Sequence, residues 1–271
     1  MTDARLRVRS LIAALILLAL TSLTARAETA DGFLSDLHTF RVSNYLALDA
    51  YYRFSTDGDT DTLNEIVGSI NSANSSMNNL AESTAGVLSN EEVENLNQEF
   101  DTFKSLMRDN INDVRDTGYP DLRLVSDMAN QALTMSEMAT ELYQVSSESS
   151  QTSTNNRVEA ARSAAITLAQ MMAKYSARTH STVAQTFQGS STEEALDEQA
   201  RKFDTLLEKI NQGNSQGELK AALDDLSSKW QFIRGSYINY NANNVSFVID
   251  RYSKGILRGL DATIELLQQN A

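Results

Sequence analysis

The stretch 93–107, VENLNQEFDTFKSLM, places Val93, Leu96, Phe100, Phe103 and Met107 at steps of three and four. At 3.6 residues per turn, that spacing gathers all five on one face of an α-helix, with the polar residues between them on the other. The stretch 223–237, LDDLSSKWQFIRGSY, repeats the spacing with Leu223, Leu226, Trp230 and Ile233 and continues to Tyr237. The likeness extends outward from there. Phe54 to Met77 lies without gaps on Phe187 to Ile210, pairing Phe54 with Phe187, Leu63 with Leu196, Val67 with Ala200, Ile70 with Phe203 and Met77 with Ile210. Both halves end alike, in Glu141-Leu142-Tyr143-Gln144 and Glu265-Leu266-Leu267-Gln268. Self-similarity at an offset of about 125 to 133 residues marks a duplicated structural unit, and one this long is a whole module, not the short repeat of a solenoid.

The rest of the chain reads in the same way. Val245, Ile249, Tyr252, Ile256, Leu260, Ile264 and Leu267 form a further helical stripe, and the only proline is Pro120. Alternating, β-branched runs that would signal strands are absent. Asp57-Gly58-Asp59 and Gly189-Ser190-Ser191 break the first helix from the second in each half, with Thr62 and Thr192 near the next starts. Ser89-Asn90-Glu91-Glu92 has the form of an N-cap followed by first-turn acids. Gly118-Tyr119-Pro120 predicts a stop followed by a start with proline in an early helical position. Asn239 to Asn244 interrupts the second half, and Ser146 to Asn156 contains no apolar residue. These signals predict an all-α protein of two tandem antiparallel helical bundles, about four helices each, over residues 28–145 and 157–271, joined by a polar junction over 146–156.

Residues 1–27 read as an export signal. Arg5, Arg7 and Arg9 precede an unbroken apolar run from Leu11 to Leu20, and Ala25-Arg26-Ala27 has the form of a cleavage site. The run falls short of the about 20 apolar residues of a membrane span. Cleavage after Ala27, with release to the periplasm, is the expected outcome; a retained N-terminal anchor is the alternative. No second apolar stretch of spanning length follows. Removing residues 1–27 takes four arginines and one aspartate from totals of 23 basic and 36 acidic residues, leaving 19 and 35 and a net charge of −16. Such a charge argues against nucleic acid and against anionic membrane surfaces as partners. With no cysteine there is no disulfide, thiolate metal site or thiol chemistry.

Catalytic motifs are missing. Asp57, Asp59 and Asp61 alternate as in a calcium loop, but Thr62 and Gly68 stand where the loop needs glycine and glutamate. His38 and His180 are expected at the surface or its boundary, without metal-ligand spacing. Neither enzyme activity nor a cofactor is expected. Trp230 and Tyr237 read either as core fillers or as the lining of a small-ligand pocket. Arg157 and Arg162 flank a helix rich in alanine, from Ala160 to Ala169, and read as solvated side chains or, where a homodimer brings helix faces together, as anion binders.

Leu168-Ala169-Gln170-Met171-Met172-Ala173-Lys174, with the later helix carrying Trp230, resembles the PilJ-type extracytoplasmic module of type IV pili chemotaxis transducers, whose first helix carries a motif close to G-R-x-R-M-L-S-Q-R-M-A. Leu168, Gln170, Met172 and Ala173 match it. The family's arginines fall on Ala164, Ile166 and Met171, so the resemblance carries over no arginine-based anion site. It covers residues 157–268, and 33–145 only through the internal repeat. The resemblance implies an all-helical, periplasmic sensory protein that binds a small molecule or peptide and presents the result to a membrane receptor. Its candidate ligand-binding residues are Arg157, Arg162, Gln170, Trp230 and Tyr237. The competing expectation is an interaction protein of an envelope assembly with no small ligand.

Overall fold

Eight α-helices and no strand make up the described residues of the protein, which in this computed structural model are 31–82, 88–149, 155–180, 194–242 and 244–269. The proposed export signal, the Gly189–Ser191 break, Thr192 and the Phe187 end of the repeat lie outside them. The helices are α1 (31–57), α2 (Thr60–Glu82), α3 (Asn90–Thr117), α4 (Leu122–Ser149), α5 (Asn156–His180), α6 (Leu196–Asn211), α7 (Gly217–Ile238) and α8 (Ser246–Gln269).

Local chemistry sets most of the helix ends. Asp59 accepts a hydrogen bond from the Thr62 amide at 3.1 Å, so this carboxylate caps α2. Ser89 and Glu92 form a reciprocal capping box at the start of α3. At its other end Gly118 takes φ 85°, and its N–H closes on the Val114 carbonyl. A residue with a Cβ would be strained in that left-handed turn. The next start differs from expectation. Pro120 lies two residues ahead of α4, because Asp121 takes the capping role, accepting from the amides of Arg123 and Leu124. The first four residues of the polar junction, 146–149, are the last turn of α4.

The first four helices enclose one core and the last four a second. α2 packs on α3 and α3 on α4, while in the second half α5, α6, α7 and α8 close a ring of neighbours. The stripes predicted for α3 and α7 are buried along their whole length, from Val93 to Met107 and from Leu223 to Tyr237. Phe100 meets Phe40 edge to face at 5.3 Å. Its repeat partner Trp230 packs on Phe203 at 4.3 Å and stacks with Tyr237 at 5.9 Å. The pairing is looser in α2: Val67 is exposed while its partner Ala200 is buried. Ile66, one position earlier, enters the core instead.

The halves meet along α1 and α5, which run side by side in the same direction. Gln170 donates to the Tyr45 hydroxyl at 3.1 Å, Ser176 to Asp49 at 2.6 Å and Thr56 to the His180 carbonyl at 3.2 Å. Both helices are covered over most of their circumference, and the polar residues they carry there, among them Asn44, Asp49, Arg162 and Ser176, are buried with the apolar ones. The two achieve this differently. α1 uses large rings, among them Phe40, Tyr51, Tyr52 and Phe54. α5 uses alanine, and its face of Ile166, Ala169, Ala173 and Ala177 belongs to the core of the first half. Each half's last helix then reaches the other half's first. Tyr143 of α4 bonds Glu159 of α5, and Gln268 of α8 bonds Asp31 of α1. Such an exchange is the pattern of two similar units about an approximate two-fold axis. No described helix is long and apolar enough to cross a membrane.

Candidate functional site

A cavity of about 240 Å³ opens where α4, α5 and α6 come together against α1. Leu48, Ala129, Leu133 and Ala173 supply its apolar wall. Tyr45, Gln170, Lys174, Glu194, Gln199 and Lys202 supply polar groups. The helical register sets them in place: Gln170 and Lys174 are four apart on α5, Gln199 and Lys202 three apart on α6, so each pair shares a face. The amides form a relay. Gln199 donates to Gln170 Oε1 at 3.4 Å, and Gln170 donates to the Tyr45 hydroxyl. Gln199 is 3% exposed and its Oε1 has no hydrogen-bond partner. Lys174 Nζ donates to the Glu194 carbonyl at 2.8 Å, and Lys202 Nζ stands 3.5 Å from the Glu194 carboxylate.

The corresponding junction on the other side of the seam, between α1, α2 and α8, is filled with charge. Arg53 bonds Asp49 at 2.9 Å and Glu65 at 2.5 Å; Lys254 bonds Glu65 at 2.6 Å and Asp250 at 3.0 Å. Asp49 is almost wholly buried. Desolvation pushes its pKa up, against the pull of Arg53 and the Ser176 hydrogen bond.

Only Gln170 among the five expected ligand-binding residues lines the α1–α4–α5–α6 cavity. Arg157 bonds the Ile210 carbonyl at 2.8 Å and Ser215 at 2.7 Å, which ties α5 to the end of α6. Arg162 is not a solvated side chain: it is 2% exposed and donates to Asp31 at 3.0 Å, the Tyr143 hydroxyl at 3.1 Å and Glu159 at 3.2 Å. Its alanine-rich surroundings exclude water, and the protein's own carboxylates answer its charge. Beside it His38 is buried, contrary to the surface position expected. Burial, with Arg162 and Arg41 nearby, drives its pKa down to about 3, so the ring is neutral. Arg41 lies over the Tyr143 ring at 5.5 Å.

Trp230 is a core residue at 2% exposure. Its indole N–H donates to Asp204 at 2.8 Å, and Arg234 clamps the same carboxylate through Nε and Nη2 at 2.7–2.9 Å. Burial works against the Asp204 charge, but the bonds from Arg234 and Trp230 outweigh it and hold the carboxyl below its usual range. These groups line a wide groove of about 680 Å³ between α6 and α7. Tyr237 is buried behind Trp230, with its hydroxyl 2.9 Å from Ser253 Oγ. Asp204, Gln199 and Lys202 carried no motif, and only the helical register beside a known neighbour would have singled them out; Lys174 ends the segment that resembles the PilJ-type motif but matches none of its positions.

No protein-family model, curated protein or solved structure matches this chain.

Proposed function

We propose that this chain is a non-enzymatic, ligand-binding sensory module that works outside the cytoplasm, takes up a small molecule between its two halves and passes the result to a membrane partner. The observation that carries this reading is the cavity at the seam. A bundle serving only as a packed surface has no use for an interhelical hollow lined by a tyrosine, two amides and two ammonium groups. Ligand sites combine an apolar wall with a few convergent polar groups in this way. The volume, about 240 Å³, lies above the about 150 Å³ that accommodates benzene and below the roughly 300–1,000 Å³ of sites for drug-sized ligands. A molecule bound there touches α1 and α4 of one half and α5 and α6 of the other, so occupancy bears directly on how the halves sit together. The resemblance of the α5 segment to PilJ-type modules supports a sensory role, and the N-terminal Arg5–Ala27 pattern supports export. The acidic balance speaks against nucleic acid as a partner.

A screen of small metabolites by thermal unfolding tests the proposal. A ligand present at 100 times its Kd adds about 2.7 kcal/mol, which raises Tm by roughly 5–11 °C for a protein of this size. Failure of every compound to shift Tm would overturn it. The competing reading, a surface for an envelope partner, has its own support. Phe232 and Phe247 are 63% and 74% exposed, and Phe232 rests on Tyr252 at 4.6 Å. Periplasmic fractionation with N-terminal sequencing, expected to start at Glu28, tests the location.

A further inference from the structure

We infer that the outer face of the α7–α8 hairpin is a self-association surface, on which a second copy of this chain lies with its α8 antiparallel to the first, basic end against acidic end.

The first observation is aromatic exposure. Phe232 and Phe247 are 63% and 74% exposed, while every other phenylalanine among the described residues is buried. Both belong to this hairpin, and Phe232 rests on Tyr252 across it. Register puts them there. Phe232 stands opposite the stripe of Leu226, Trp230 and Ile233 that α7 turns inward, and Phe247 stands opposite Ile249, Ile256 and Leu260 on α8. Large apolar side chains gathered on one surface mark a contact site.

The second observation is the order of charge. Phe247, Arg251, Arg258 and Glu265 follow one another at steps of four and seven, so they form one line along α8, with Asp261 beside it. The four charged groups are exposed, and among the described residues none of them makes an ion pair. The helix dipole does not account for their order, since it favours acids at the start of a helix and bases at its end. The hairpin therefore has a basic end that carries the aromatic rings and an acidic end where the outward Ala221 and Ala262 are small.

The two ends complement each other. A two-fold interface is isologous, so each element of the surface must match another element of the same surface. Two antiparallel α8 helices centred on Gly259 bring Arg251 opposite Glu265 of the second copy, and Arg258 opposite its Asp261, each within about 3 Å along the axis. The aromatic end of each copy then covers the alanines of the other. With 24 residues α8 offers about 36 Å of length, and two helix widths of about 10 Å each make a face of about 700 Å². A specific dimer buries about 800 Å² per partner. A second copy suits this face better than an unlike partner, because both halves of the charge pattern lie on it. The alanine-rich α5 is not available for such a contact, being buried between the halves.

Sedimentation velocity of the purified protein over a concentration series tests this. The wild-type protein should dimerise. Arg251→Glu with Arg258→Glu makes both ends acidic, and Asp261→Lys with Glu265→Lys makes both basic. Each double variant should sediment as a monomer, and an equimolar mixture of the two should form a dimer again. Phe232→Ser should weaken association about 30-fold, as loss of an aromatic anchor does, and Phe247→Ser should act in the same direction. Circular dichroism checks that each variant folds; if a charge variant does not, the two serine variants decide. A wild-type monomer at every concentration overturns the inference and leaves the face to a different partner. So does a dimer that survives both charge reversals or both serine substitutions, or a mixture of folded charge variants that stays monomeric. None of these outcomes bears on the seam cavity, which the thermal screen tests separately.

Discussion

The two junctions beside the α1–α5 seam occupy matching places in the two four-helix halves but are filled in different ways. Between α1, α2 and α8, five charged side chains interlock, with Arg53 and Lys254 shared among Asp49, Glu65 and Asp250. Between α4, α5 and α6 there is a hollow. The offset that lays Glu141 on Glu265 also lays Ser126 on Asp250, Asn130 on Lys254 and Ala129 on Ser253. The first half therefore has short neutral side chains where the second has an ion pair. The smaller side chains at these positions accompany the open space on the first side.

The largest effect should come from opening the closed junction. Arg53→Met leaves Asp49 buried without its cation, and breaking a buried pair from one side costs about 3–5 kcal/mol. Lys202→Met on the hollow side should cost less than about 1 kcal/mol, as for an exposed lysine. Chemical denaturation of both variants checks the contrast, and equal losses would mean that the two junctions do not differ in this way. Comparable in size, Trp230→Ala and Phe100→Ala should each cost about 3–5 kcal/mol, as buried aromatics do. A near-native midpoint for either would break the equivalence of the two cores.

A smaller effect belongs to pH. His38 has its folded pKa near 3, whereas in the unfolded chain it takes up a proton near 6.5. Stability is therefore fully present above about pH 6.5 and lost as pH falls toward 3, at up to about 1.4 kcal/mol per pH unit. The charges that act on it are those of Arg162 and Arg41, and both oppose its protonation. His38→Gln should flatten the pH dependence of the denaturation midpoint between 6.5 and 4; an unchanged slope would assign acid sensitivity elsewhere. Smallest of all, Ala129→Leu fills the hollow. It should raise stability by about 0.5–2 kcal/mol, the range typical of cavity filling, while abolishing the ligand-dependent Tm shift. A destabilised variant would show the wall to be already tightly packed.

Much of this fold could be read from local spacing. The stripes of α3, α7 and α8 are periodic over four or more turns, and each burial follows from a few neighbours along the chain. Ser89 and Glu92 are likewise a short-range pair. Pro120 misled by two residues because Asp121 next to it competes for the same helix start. Arg162 and His38 were placed too far out, because nothing near them in sequence reveals that two bundles close over them. The cavity is the extreme case. Tyr45, Ala129, Gln170 and Gln199 come from four helices, and no pattern along the chain links them. Gln170 was singled out for its resemblance to a motif and Gln199 was not singled out at all, although the two share one hydrogen bond.

The alanine face of α5 also bears on how the molecule is made. Ile166, Ala169, Ala173 and Ala177 complete the core of the first half, so the first four helices do not form a sealed unit when Ser149 has been synthesised. The missing wall arrives only with α5. During that interval the large rings of α1 have no cover on the α5 side. A nascent chain arrested before α5 should be captured by chaperones or nicked by protease at α1, and one arrested after His180 should not. Small side chains suit this late arrival, because a smooth helix can slide into a groove that the rings of α1 have already shaped.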